Sequence, residues 1–157
     1  MKTETFFTEF NTKVKSLLNE GVLIGLKDVD ELENGTYTLL VDLAIYDIAK
    51  KNNLTVLPEE PKGRYGYSDL TLCSEDGKDK FFDIEHENNA SAKKIEKALN
   101  NLCYYNSKAK CKILITYASD KKAKEILNFC KKYICKNKYS KNDLYLFYGK
   151  PKHNYSD

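Results

Sequence analysis

Phe6, Phe7, Phe10, Val14, Leu17 and Leu18 recur at helical spacing until Gly21, so residues 4 to 20 read as an amphipathic helix. Asn34-Gly35 then breaks the chain ahead of a second helix over Tyr37 to Asn52. Its Leu39, Leu40, Leu43, Ile45 and Ile48 are apolar over more than one face and predict a buried, central element. Leu54 to Leu57 reads as a short strand ended by Pro58 and Pro61, followed by the polar loop Lys62-Gly63-Arg64-Tyr65-Gly66. Tyr67 to Cys73 and Lys80 to Glu87 alternate as strands on either side of Ser74-Glu75-Asp76-Gly77-Lys78, whose Asp-Gly step is a hairpin signal. Ser91 is placed to cap a helix running to about Tyr105, with Ile95, Ala98, Leu99, Leu102 and Cys103 on one face. Cys111 to Tyr117 is a continuous apolar strand. Ser119 or Asp120 caps a further helix, and Leu144 to Tyr148 forms a last strand before a polar tail.

The resulting order is α, α, β, β-hairpin, α, β, α, β. Fully apolar runs such as Ile113-Leu114-Ile115, separated by helices, predict an α/β fold with a mixed central sheet flanked by helices. No repeat or low-complexity stretch divides the chain, so one domain over residues 1 to 157 is expected. Its core is expected over about 36 to 117, with a helix at 4 to 20 before it and a helix and strand at 119 to 148 after it.

Composition narrows the class. The chain has 157 residues, 41% of them hydrophobic, with 12 Tyr and 7 Phe, which supplies the apolar area that a disordered chain lacks. No apolar run approaches the roughly 18 residues of a membrane span, and no signal-like apolar segment opens the sequence, so a cytoplasmic protein without membrane partners is expected. Five cysteines form no Cys-x-x-Cys pair, and only His86 and His153 are available to join them, which argues against a zinc site or a disulfide framework.

The net charge of +3 hides an asymmetry. Residues 1 to 87 hold 10 Lys and Arg against 18 Asp and Glu, a net −8, whereas residues 88 to 157 hold 16 against 5, a net +11. A basic half attracts a phosphate-rich polymer. Of the 26 basic residues 25 are Lys, in a chain also rich in Asn, Ile and Tyr, which is equally what a low-GC codon bias produces. A merely solvated lysine surface therefore stands beside the nucleic-acid reading.

The candidate chemistry lies in Phe82-Asp83-Ile84-Glu85-His86-Glu87. Strand alternation sends Asp83, Glu85 and Glu87 to one face and Phe82, Ile84 and His86 to the other. Neighbouring carboxylates about 7 Å apart repel by about 2 kcal/mol at an effective dielectric near 20. Water, lysines on an adjacent strand, or a divalent cation would offset this repulsion. Asp69 favours the cation: near the start of one hairpin arm, it falls at the same end as Glu85 near the end of the other, and two converging carboxylates suit a hard cation.

The succession of loop, Asp69, strand, turn, strand, Glu85-x-Glu87, helix and strand resembles the PD-(D/E)xK nuclease superfamily, the fold of type II restriction enzymes and many repair nucleases. The resemblance spans about residues 36 to 117 and implies a restriction endonuclease-like α-β-β-β-α-β core. It implies Asp69 and Glu85 as ligands of Mg²⁺, with Mn²⁺ as a substitute, and phosphodiester hydrolysis, of DNA, as the activity. Two positions depart from the motif: Ser68 stands where it has Pro, and Glu87 where it has Lys. Some members end the motif in Glu, which implies a metal-binding and catalytic role for Glu87. Lys93 or Lys94 at the start of the next helix is the alternative source of the ammonium group.

Asp42, on the second helix, is a candidate accessory acid by the same resemblance, against an ordinary surface carboxylate paired with lysine. Arg64, the only arginine, together with Lys94 and Lys97 is a candidate for gripping phosphates. The tyrosines offer stacking surfaces for bases, although apolar packing explains them as well. Three functions compete: a nuclease, an inactive relative that binds nucleic acid or a protein, and an interaction domain with a solvated acidic strand. A chain this short that cut DNA at a specific sequence would require a partner subunit or a homodimer.

Overall fold

In the computed structural model, the described residues are 1–20, 34–61, 67–87, 91–104, 109–116, 120–137 and 144–148. The fold is mixed α/β, and the chain divides into two compact units, the first holding residues 1–53 and the second residues 54–149. The division arises because the two N-terminal helices pair with each other, while all strand pairings close within the second unit.

In the first unit, α1 (Thr3–Glu20) and α2 (Asn34–Lys51) lie antiparallel. Lys51 Nζ meets Glu9 at 2.7 Å and Lys13 Nζ meets Asp47 at 3.0 Å, so position rises along one helix as it falls along the other. The Asn52 amide donates to the second Glu9 oxygen at 2.9 Å, and these contacts hold the Glu9 carboxyl below its ordinary range. Phe6, Phe10 and Val14 of α1 are buried, as are Leu40, Val41, Ala44, Ile45 and Ile48 of α2. The expectation that α2 is buried on several faces holds only in part, since Leu39, Leu43 and Tyr46 stand exposed. Gly35 lies inside the first turn of α2 and does not break the chain there. The helix is followed by Asn53 in the left-handed region at φ +53°, a conformation Asn tolerates better than most residues.

The second unit is a five-stranded sheet in the order β1-β2-β3-β4-β5, with β1 Thr55–Pro61, β2 Tyr67–Cys73, β3 Lys80–Glu87, β4 Cys111–Thr116 and β5 Leu144–Tyr148. β1, β2 and β3 are antiparallel neighbours, whereas β4 runs parallel to β3 and β5 parallel to β4. β1 runs through both prolines that were expected to end it. It is the edge strand, where a residue lacking an N–H removes no ladder bond on the outer side. The hairpin turn forms around Asp76-Gly77 as its residues demand: Gly77 takes φ +72°, and the Gly77 N–H donates to the Ser74 carbonyl at 2.8 Å. Asp76 accepts from the Ser74 hydroxyl at 2.6 Å and from the Lys78 N–H at 3.2 Å, which lowers its carboxyl pKa.

Helix α3 (Ala92–Leu99) follows β3 and passes directly into a π-helical segment, Asn100–Tyr104. Ser91 precedes it in extended conformation, and its carbonyl, not its side chain, receives the first helical N–H groups. Ile95, Ala98, Leu99 and Leu102 pack with Ile126 and Cys130 of α4 (Asp120–Lys136) and with Leu114 of β4. The Tyr133 hydroxyl donates to the Asn100 side chain at 2.5 Å and ties α4 to the start of the π-helical segment.

All five cysteines are free. Cys73, Cys111 and Cys130 are buried, and Cys135 is exposed. Burial pushes the Cys130 thiol up to about 11, with Cys103 nearby adding to the shift. Under native conditions at pH 8, iodoacetamide is expected to modify Cys135 first. Cys130 should react about 100-fold more slowly or only after unfolding, because so little of it is thiolate. Mass spectrometry of the labelled peptides checks the order.

Candidate metal centre on the acidic face of the sheet

The registers sort the central strands into two faces. Leu70 pairs with Ile84 and Thr71 with Asp83 across β2 and β3. Asp83, Glu85 and Glu87 of β3 stand beside Lys112, Leu114 and Thr116 of β4. Asp69, Thr71, Asp83, Glu85, Glu87, Lys112 and Thr116 therefore share one face, while Leu70, Leu72, Phe82, Ile84, His86, Ile113 and Ile115 share the other. Leu114 lies on the acidic face and belongs to the core cluster of α3 and α4, so those helices cover that face. The π-helical segment contacts β2, β3 and β4, the three strands that carry the acids and the two threonines.

This placement removes water as the counterweight to the acid repulsion along β3. Asp83 is fully buried and Glu85 is 4% exposed, while Glu87 and Asp69 are half-buried toward the same end of the hairpin. The solvated acidic strand is thereby corrected: α3 and its π-helical extension pack over it. For Asp83 and Asp69 the protein supplies polar partners. The Thr71 hydroxyl donates to Asp83 Oδ1 at 2.6 Å, and the His86 backbone N–H donates to Asp69 Oδ2 at 2.6 Å. Lys112, half-buried, stands beside Asp83 in the register.

Of the expected ligands, Asp69 and Glu85 flank the last observed β2–β3 pair, Asp69 before Leu70 and Glu85 after Ile84. Extending the Leu70 to Ile84 pairing by one residue sets them opposite each other on the acidic face. Glu87 follows one step along β3 on that face. Among the described residues, no group of three His, Cys, Asp or Glu side chains is gathered to hold a metal ion. The donor set that is present is two carboxylate residues opposed across a hairpin, one nearly buried. That number suits Mg²⁺, which binds through one or two carboxylates and keeps several waters.

Asp42 is half-buried on α2 in the first unit, whereas the acid pair belongs to the second. Lys93, Lys94 and Lys97 are exposed on α3. Arg64 lies outside the described residues. Lys124, Lys131, Lys132 and Lys136 are exposed on α4, while Lys122 is engaged by Glu125 at 2.8 Å. His86 faces away from the acids, as alternation predicts, with its Nε2 shielded from solvent. Burial lowers its pKa from 6.5 to about 4, which leaves a neutral ring at pH 7. Its backbone N–H reaches the acidic face at Asp69.

Two residues of this face were missed by sequence reasoning. Thr71 shares the parity of Asp69 in the alternating run Ser68-Asp69-Leu70-Thr71, a signal that was available. Thr116 is fully buried, and its hydroxyl has no hydrogen-bond partner among the described residues. Only the β3 to β4 register reveals that it stands beside Glu87.

No family model, no curated protein and no solved structure matches the chain. Among the described residues, no helix is long and apolar enough to cross a membrane.

Two stability measurements check this geometry. Thr71→Val keeps the shape but removes a donor from the buried Asp83, and should cost about 1–3 kcal/mol in chemical denaturation. Between about pH 6.5 and pH 4 the unfolded chain binds a proton at His86 that the folded protein refuses, so stability falls as pH drops through that window. Wild type should lose about 2 kcal/mol more than His86→Gln between pH 7.5 and pH 5, read from urea midpoints. Parallel pH profiles would contradict the buried ring.

Proposed function

We propose that this chain is a metal-dependent nuclease of the PD-(D/E)xK type that hydrolyses phosphodiester bonds, with DNA as its substrate. The observation that carries the reading is the β2–β3 register, in which Asp69 directly precedes Leu70 and Glu85 directly follows its partner Ile84, one acid from each arm. The element order supports it, since a helix, three antiparallel strands, a helix and a strand parallel to β3 follow in the succession the resemblance implies. The exposed lysines of α3 and α4 add a surface on which phosphates can be neutralised.

In this reading Asp69 and Glu85 hold Mg²⁺, or Mn²⁺ in its place. The His86 N–H donates to Asp69 Oδ2 and so helps fix the orientation of that carboxylate. The bound cation supplies a Lewis acid for a phosphate oxygen and a water of lowered pKa. Glu87, half-buried at the end of β3, would serve as a hydrogen-bond acceptor for such a water. Lys93 and Lys94, at the start of α3, stand only a few residues beyond Glu87 in the chain and attract the phosphate backbone.

A binding-only relative of the same fold is the second reading. It is favoured by Glu87 in the place of the motif's lysine and by the lack of a three-ligand group among the described residues. Incubation with plasmid, linear and single-stranded DNA in Mg²⁺, Mn²⁺ or EDTA separates the two. Metal-dependent nicking or degradation is expected. Asp69→Ala and Glu85→Ala should each reduce it at least about 100-fold, on the scale of removing a principal transition-state stabiliser, while circular dichroism shows the fold retained. Salt-sensitive DNA binding without cleavage in any metal would select the binding-only relative, and retained cleavage in either variant would remove the site assignment.

A further inference from the structure

Thr116 ends β4 on the acidic face, beside Glu87 and one register step beyond Leu114, the neighbour of Glu85. It is fully buried, and among the described residues its Oγ1 has no hydrogen-bond partner. A buried hydroxyl without a partner is a net cost to the folded protein, and valine would fill the same volume without that cost. The preceding Ile113-Leu114-Ile115 shows how apolar this strand otherwise is. The polar atom thus stands where packing does not require it, next to the strand that carries the candidate ligands.

We propose that Thr116 is a positioning residue of the same centre, its hydroxyl oxygen accepting a hydrogen bond from a water held on the divalent cation. The inference rests on the nuclease reading of Asp69 and Glu85. A site that offers so few carboxylates leaves much of the Mg²⁺ or Mn²⁺ shell to water, and those waters are strong donors that require fixed acceptors. Thr116 lies one strand spacing from Glu87, about 4.8 Å, on the face where such a water would stand. Its role lies in holding the hydrated ion, and it does not touch the reacting phosphate.

The test is Mn²⁺ binding, followed by the electron paramagnetic resonance of the free ion, for wild type, Thr116→Val, Thr116→Ser, Asp69→Ala and Glu85→Ala. Metal-free thermal melts of each protein accompany it. Wild type is expected to bind Mn²⁺ and both acid variants to lose binding. Thr116→Val should melt at or above the wild-type temperature without metal yet bind about tenfold more weakly, the equivalent of one hydrogen bond. Thr116→Ser should recover most of the affinity. Equal binding by Thr116→Val and wild type overturns the role of Thr116 and leaves the acid pair standing. A metal-free Thr116→Val that melts well below wild type overturns it too, since the hydroxyl would then be bonded within the protein. Absence of Mn²⁺ binding in wild type, or binding indifferent to Asp69 and Glu85, overturns both this inference and the nuclease reading.

Discussion

Carboxylates buried on β3 set the terms for the second unit. Asp83 and Glu85 lie on a sheet face that α3, its π-helical continuation and α4 cover, and a carboxylate removed from water is tolerated only with polar partners. The Thr71 hydroxyl meets Asp83 across the hairpin, and the His86 N–H meets Asp69 just past the last backbone pair. The hairpin register determines which side chains can do this. A one-residue slip would send Asp83 and Glu85 to the face now occupied by Leu70, Ile84 and Ile113. The tight Asp76-Gly77 turn and its hydrogen bonds help hold the arms in that register.

The same register accounts for the division of labour within Glu85-His86-Glu87. Alternation puts the His86 ring on the face of Ile84 and Ile115, where burial leaves it neutral, while its backbone N–H donates to Asp69. One residue thereby contributes to both faces in different chemical forms. The acids, in turn, run from fully buried at Asp83 to half-buried at Glu87, so polarity increases toward the end of β3 that leads into α3. A small charged ligand approaching that end would meet the least enclosed carboxylates first.

Helix α3 links this face to the charge asymmetry of the chain. Its inner side supplies Ile95, Ala98 and Leu99 to the core, and its outer side carries Lys93, Lys94 and Lys97. Helix α4 repeats the pattern with Ile126, Cys130 and Ile134 inward and Lys124, Lys131 and Lys132 outward. Among the described residues, eight of the sixteen lysines of the basic second half lie exposed on these two helices, whose inner surface covers acids. The lysines face water, as a solvated surface would, and the same exposure is what a polyanion requires.

Local patterns in the sequence determined the elements. Period-two alternation and the Asp-Gly turn placed β2 and β3 at the boundaries observed, and helical periodicity placed α1 and α4 nearly as well, because these signals depend on neighbours within a few residues. The shared face of Asp83, Glu85 and Glu87 was legible for the same reason. The burial of that face was not, since it depends on which side of the sheet α3 and α4 choose, a contact between segments far apart in the chain. The course of β1 through Pro58 and Pro61 was decided by its position at the sheet edge, where a missing N–H removes nothing. Thr116 could be recognised only once β4 lay parallel to β3 in a fixed register. Alternation along a strand is a local property of the backbone, whereas the neighbour across the sheet, and whether water reaches it, belong to the tertiary structure alone.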